Sequence, residues 1–230
     1  AVFVGHDWGA LVLWSLPFYC PERVKGLAGL NVPLTKHYPT DPVSVMRRKL
    51  GEDMYIVRFQ QEGACEPILE DDMRATFRFY LRKPSLDNKS KPSVAFEGAG
   101  LDMIGLLQAG EPAWGGQLLL PEEEMQIYID AFTAGGFTGP LHWYRNMEAN
   151  WEAQKRFLVD GGLPKVEKPC LMITADKDRA CPARLADGME NLCEPYQRID
   201  LTDCGHWSQQ EKPDEVNRAL LDWLAQHFKV

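Results

Sequence analysis

Long apolar runs are scarce in this 230-residue chain: the longest, Ala10 to Cys20, is about half a bilayer span and contains Ser15 and Pro17. No membrane partner is expected. Positive charge is in deficit as well, with 25 Lys plus Arg against 33 Asp plus Glu. The resulting net charge of −8 repels phosphate backbones and anionic lipid surfaces, so no nucleic-acid partner is expected either. The six cysteines (Cys20, Cys65, Cys170, Cys181, Cys193, Cys204) form no C-x-x-C pair, and no basic segment followed by an apolar one opens the chain. Together these absences predict reduced thiols and a cytoplasmic setting. There is no internal repeat. What is present, 45% hydrophobic and 25% charged residues with seven Trp and ten Phe, is the composition of a folded domain. At this length a core can form without metals or disulfides.

Two textures alternate along the chain. Val2 to Val4, ending at Gly5, reads as a short strand, and the apolar stretch Trp8 to Tyr19 follows as a helix with no loop between. Pro17 predicts a kink or an early end to that helix. Val24 to Leu30 reads as a second buried strand, closed by Asn31-Val32-Pro33. Residues 34–163 then carry helical patterns, over Asp41 to Gln61, Glu66 to Arg82, Pro121 to Ala134 and Leu141 to Val159, with Lys83 to Gln117 read as a long surface loop. Strand character returns at Pro169 to Thr174 and Tyr196 to Leu201, separated by a helix at Pro182 to Asn191 and followed by an amphipathic helix at Lys212 to Phe228. The expected fold is therefore α/β: a parallel sheet with flanking helices in segments 1–33 and 164–230, interrupted at 34–163 by a helical cap that roofs the carboxyl ends of the strands.

Three features carry chemistry. Gly5-His6-Asp7-Trp8-Gly9, between a strand and a helix, has the small-x-nucleophile-x-small form of a nucleophile elbow, in which the middle residue is held in a strained turn and its neighbours two positions either side must lack bulk. Asp7 is the nucleophile that this implies; a plain N-cap is the other use of an Asp there. Asp203-Cys204-Gly205-His206-Trp207 follows a strand and places His206 at a carboxyl end, where α/β sites assemble. One crossover earlier, Thr174-Ala175-Asp176-Lys177-Asp178 offers two acids after the preceding strand, Asp178 and its competitor Asp176. The order nucleophile, acid, histidine is that of the α/β-hydrolases.

With the Gly-His-Asp-Trp-Gly elbow, the Cys-Gly-His-Trp loop and Leu141-His142-Trp143-Tyr144-Arg145-Asn146-Met147-Glu148, the chain resembles the soluble epoxide hydrolases of the α/β-hydrolase superfamily. Tyr19-Cys20-Pro21-Glu22-Arg23-Val24 and Lys212-Pro213-Asp214-Glu215-Val216-Asn217 extend the likeness over nearly the whole length. The resemblance selects Asp178 as the acid and implies that two cap tyrosines, Tyr55 and Tyr144, grip the epoxide oxygen. The other use of Tyr55 is as an aromatic on a helix face, packing on the sheet. The resemblance also implies further strands and a His-Gly-x-Pro loop ahead of the elbow. The expectation is accordingly an incomplete α/β-hydrolase fold, a truncated enzyme whose activity alone is reduced.

The implied reaction needs no cofactor and no metal: Asp7 attacks a small hydrophobic epoxide to form an alkyl ester, and His206, backed by Asp178, activates water to release a vicinal diol. Trp8 supplies a main-chain N–H to the oxyanion. A haloalkane dehalogenase would share Asp7, His206 and Asp178 and use Trp8 to hold a halide, but has no need of paired tyrosines. A non-catalytic interaction fragment is the reading of another class. No oligomeric state follows from these residues.

Overall fold

The computed structural model describes residues 1–83 and 101–228, and these form two compact units, residues 1–37 with 155–230 and residues 38–154. The first is built on a four-stranded parallel sheet, β1 (Val2–His6), β2 (Gly26–Leu30), β3 (Cys170–Ala175) and β4 (Tyr196–Leu201), in that spatial order. Its register pairs His6 with Leu30, Leu30 with Ile173, and Ala175 with Leu201. The carboxyl ends of all four strands therefore lie side by side, and the chemistry-bearing residues come one or a few positions after each.

Every residue of β2 and β3 is buried, because the sheet is covered on both faces and successive side chains point to opposite sides. On one face Leu27, Cys170 and Met172 pack with Ala10, Leu13 and Trp14 of the helix Trp8–Tyr19. On the other, Ala28, Leu30, Leu171 and Ile173 pack with Val216, Ala219 and Trp223 of the helix Pro213–His227. Gly29 admits the close approach of Trp14, whose Cζ2 would lie 2.3 Å from a Cβ added there. The Trp14 indole N–H in turn donates to the Val32 carbonyl at 2.8 Å, tying the elbow helix to the end of β2. Pro17 lies in the last turn of that helix, which runs on to Tyr19, so the one main-chain bond it removes costs no further turns.

The second unit is helical, and its helices are shorter than the sequence pattern predicts. Asp41 to Gln61 is two helices, Pro42–Leu50 and Tyr55–Arg58: Asp41 caps the first through the Val43 and Ser44 N–H groups, and Gly51 ends it at φ 87°. Glu66 to Arg82 divides at Asp72, whose extended backbone and carboxylate cap Met73–Tyr80. Leu141 to Val159 divides at Asn146, whose side-chain amide donates to the His142 carbonyl, leaving Thr138–Arg145, Met147–Gln154 and a 3₁₀ turn, Lys155–Phe157. At Asp72 and Asn146 a short polar side chain binds the local backbone and competes with continuation of the helix, whereas at Gly51 a left-handed glycine ends it.

The stretch read as a loop, Lys83 to Gln117, carries two helices, Met103–Ala109 and Glu111–Trp114, because Asp102 caps the first and Ile104, Leu107 and Trp114 have a core to enter; residues 84–100 lie outside the described residues. Two residues on either side of it, Arg82–Lys83 and Gln117–Leu118, form a short antiparallel ladder. Back in the first unit, Pro182 to Asn191 is two 3₁₀ turns parted by left-handed Gly188, not one helix. Among the described residues no helix is long and apolar enough to cross a membrane.

Candidate active site

Asp7 is the single residue between β1 and the elbow helix, and its backbone takes φ 51° and ψ −118°, a region that an L side chain enters only when its surroundings hold it there. The surroundings do. Its N–H donates to the Leu30 carbonyl at 3.3 Å, and its own carbonyl accepts from Ala10 and Leu11 at 2.9 and 3.1 Å, starting the helix. Gly5 is sterically required: a Cβ there would stand 2.5 Å from the Gly9 carbonyl oxygen and 2.7 Å from Leu13 Cδ2. Gly9, expected to be small for the same reason, has open space around its Cβ position, so the constraint falls on one side of the turn only.

The two oxygens of Asp7 meet different partners. Oδ2 accepts the Trp8 main-chain N–H at 2.6 Å, and Oδ1 lies 3.2 Å from His206 Nε2. On the far side of the imidazole, Nδ1 is 2.9 Å from Asp178 Oδ2. Asp178 is held from every direction: Oδ1 accepts the Ala180 and Cys181 N–H groups, both at 2.9 Å, and Oδ2 also accepts from Asn31 Nδ2 at 2.8 Å. Asp176, the competing acid, accepts instead from the Cys204 N–H at 3.1 Å and so anchors the backbone of the histidine loop. Glu211 anchors it further, through the N–H groups of Gly205 and Trp207.

Charge follows from this geometry. Burial disfavours a charged His206, but hydrogen bonds and the charges of Asp178 and Asp7 outweigh it and raise its pKa to about 10. Burial likewise pushes the Asp7 carboxyl upward, and the His206 hydrogen bond and charge reverse the effect, leaving it below the ordinary carboxylate range. Asp178 is also shifted downward on balance, by His206, the Cys181 N–H and Asn31 against burial. At neutral pH the site is thus an imidazolium between two carboxylates.

Tyr55 and Tyr144 belong to the helical unit, where their rings meet edge to face at 5.8 Å, with Phe59 at 5.5 and 5.0 Å from them. Their backbones are tied together: Gln60 Nε2 donates to the carbonyls of Ile56 and Tyr144, and Arg145 Nε donates to that of Phe59. Arg145 also pairs with Glu66 at 2.7 Å, both side chains nearly buried.

Three residues near Asp7 and His206 were not anticipated. Asn31, after β2 in a left-handed conformation, is 2% exposed and joins Asp178, the Gly205 carbonyl and the Ser208 hydroxyl. A polar residue closing an apolar strand was the available signal. His6 donates from Nε2 to the His206 carbonyl at 2.7 Å, and its ring lies 4.8 Å from that of His206. Cys181 places its sulfur within 4.8 Å of ligand atoms of both Asp7 and His206, which no motif announces.

The profile of the α/β hydrolase fold family matches residues 1–213. "Epoxide hydrolase A" of Mycobacterium tuberculosis is 35% identical over 229 residues, 97% of this chain and 68% of that protein. "Bifunctional epoxide hydrolase 2" of Sus scrofa is 36% identical over 97% of this chain, which spans only 39% of the pig protein. Among solved structures, Epoxide Hydrolase A from Mycobacterium thermoresistibile superposes with a TM-score of 0.78 at 34% identity, covering 98% of this chain and 69% of that one. Strand-end placement of Asp7, Asp178 and His206, together with these likenesses, puts the chain in the α/β hydrolase fold family, among its epoxide hydrolases.

Proposed function

We propose that the chain hydrolyses a small hydrophobic epoxide to a vicinal diol through an ester on Asp7. The observation that carries this reading is the division of the Asp7 carboxylate, one oxygen on the Trp8 N–H and the other facing an imidazole that is itself backed by a buried acid. An Asp7 oxygen attacks an epoxide carbon, the ring C–O bond breaks, and its electron pair goes to the ring oxygen. Tyr55 and Tyr144 hydrogen-bond that oxygen and one gives it a proton, so the product of the first step is a hydroxyalkyl ester and a tyrosinate.

Esterification removes the negative charge of Asp7, one of the two carboxylates that keep His206 protonated. The imidazolium then gives up its Nε2 proton, which restores the tyrosine, and becomes a neutral base when one is needed. Neutral His206 takes a proton from water as the water oxygen attacks the ester carbon. The oxyanion formed on Oδ2 is already hydrogen-bonded to the Trp8 N–H, and its collapse expels the diol oxygen, which recovers the proton from His206. The carboxylic acid left on Asp7 returns its proton to His206. Six free cysteines support a reducing, cytoplasmic setting for this chemistry.

The test is a single turnover in labelled water with enzyme in excess. Unlabelled oxygen from Asp7 should enter the diol; full solvent label in the first-turnover product would exclude the ester and favour direct attack by water. Parallel assay of a haloalkane for halide release distinguishes the dehalogenase reading, and the absence of any turnover the non-catalytic one.

A further inference from the structure

The proposed reaction uses Asp7 and His206 but gives Cys181 no part. Its sulfur nevertheless shares a small volume with them: one ligand atom each from Asp7, Cys181 and His206 all lie within 4.8 Å of one another. From this arrangement we propose that Asp7, His206 and Cys181 form a three-donor site for a soft divalent cation, Zn²⁺ or Cd²⁺, whose binding inhibits the enzyme.

The geometry is close to what such an ion requires. Metal-to-donor lengths of about 2.0–2.3 Å in a tetrahedral site place neighbouring donors roughly 3.3–3.8 Å apart. The Asp7 to His206 pair is at 3.2 Å, so those two donors need only part slightly, and the sulfur, within 4.8 Å of both, must approach by no more than about 1–1.5 Å. The support around the donors is already built. Asp178 holds Nδ1 of the imidazole, the arrangement that orients a metal-bound histidine and leaves Nε2 facing the ion. Asp178 also accepts the Cys181 N–H, which fixes the backbone from which the thiol projects.

Donor softness points the same way. Two carboxylates face the imidazole, and an ion at Nε2 would lie between His206 and Asp7. Burial and the same two carboxylates push the Cys181 thiol up, so it is the bound ion that displaces the thiol proton to solvent, giving a thiolate-imidazole-carboxylate set. A thiolate favours zinc and cadmium over magnesium and calcium, which prefer oxygen donors throughout. The fourth position stays open to water. Because the ion covers the Asp7 oxygen and the His206 nitrogen used in both half-reactions, it blocks alkylation and ester hydrolysis alike.

The site does not depend on the proposed substrate, and its test reads binding directly. The chain is titrated with Cd²⁺, following thiolate-to-cadmium absorption in the ultraviolet and heat by calorimetry. One equivalent should bind with a thiolate band, and excess Mg²⁺ should not displace it. Cys181→Ser, close in size and unable to supply a thiolate, should abolish the band and weaken binding by more than the roughly 10–100-fold that loss of an outer partner costs. Asp7→Asn keeps the sulfur and removes a carboxylate, and should weaken the same band, whereas Cys20→Ser should leave it unchanged. A Cd²⁺ band of equal intensity and affinity in Cys181→Ser, or its indifference to Asp7→Asn, would overturn the proposal, whether or not the chain hydrolyses epoxides. Where turnover is measurable, Zn²⁺ inhibition relative to each variant's own uninhibited rate should follow the same order.

Discussion

Replacing Gly5 with alanine should disable the elbow, and replacing Gly9 should not. The added methyl at position 5 meets the Gly9 carbonyl oxygen at 2.5 Å and its carbon at 2.6 Å. Ordinary contact begins at 3.4 Å, so the two backbones must part by roughly 1 Å. Leu13 Cδ2, at 2.7 Å, can turn aside, but the first turn of the helix cannot move without carrying Asp7 and Trp8 with it. Overpacking of this kind costs about 1–3 kcal/mol, and the involvement of backbone atoms puts Gly5→Ala at the upper end. With a urea dependence of roughly 1–3 kcal/mol per molar, the unfolding midpoint should fall by about 1–3 M. A nucleophile displaced by about 1 Å should lose on the order of 100-fold in the rate of Asp7 alkylation, read by intact mass after mixing with an epoxide. Gly9→Ala meets open space within a helix and should be neutral or gain about 0.5–1 kcal/mol. A Gly5→Ala variant as stable and as readily alkylated as the parent would show that the turn is not sterically limited, and equal damage from Gly9→Ala would show that the limit lies elsewhere.

Tyr144→Phe should slow alkylation of Asp7 about tenfold or more while leaving hydrolysis of the ester nearly unchanged, and adding Tyr55→Phe should deepen the loss; unaltered single-turnover alkylation in the double variant would make both tyrosines packing residues. The folded pKa of His206 lies above its unfolded value of 6.5, so its contribution to stability is complete below pH 6.5 and is lost as pH rises through about 10. Chemical unfolding of the parent should weaken across that window, and that of His206→Gln should be flatter. Asp7→Asn, which mimics the charge lost on esterification, should lower the pH at which the His206 ring titrates by nuclear magnetic resonance; an unmoved titration would remove the base-switching step. Glu66→Gln should destabilise the helical unit by about 1–3 kcal/mol, because the Arg145 guanidinium loses its counter-charge but keeps the Phe59 and Gln61 carbonyls. Adding Arg145→Met should recover part of that loss, and strict additivity of the two would mean that the pair is not coupled.

Most of what positions the first unit is local in sequence and could be read there. The strand-turn-helix at Asp7 is written in the spacing of small and apolar residues, and the interval from Asp178 to His206 matches one crossover between β3 and β4. Their convergence at hydrogen-bond distance follows from parallel strands ending together. Choosing Asp178 over Asp176 needed the family likeness, since both acids follow the same strand; the geometry separates them by giving Asp176 to the Cys204 N–H. Cys181 was illegible for a different reason: it lies beside residues far away in the chain, and nothing in its neighbourhood has a period or spacing that records the contact, whereas Asn31 left one local mark, a polar residue closing an apolar strand, that does not say which partners it meets. In the helical unit the breaks were hidden at Gly51, Asp72 and Asn146, which interrupt patterns that look continuous, and at Asp102, which starts a helix in a stretch whose composition reads as loop. The presumed need for a small residue at Gly9 came from treating the elbow as symmetric, whereas the helix it starts leaves one side open.

The division into a discontinuous unit and a continuous one has a consequence for the order of folding. Pairing Leu30 with Ile173 joins strands about 140 residues apart, a costly closure for an unfolded chain. Within residues 38–154, however, the two ends already meet: Trp151 Nε1 donates to the Tyr38 carbonyl at 2.8 Å. Once this unit has formed, the segment left to close between β2 and β3 shrinks to some 25 residues, which lowers the entropic cost by about 1.5 kcal/mol. The inserted unit thus serves as a clasp for the sheet that it interrupts, and the slowest step in assembly should be the arrival of its own ends, ahead of β-strand pairing.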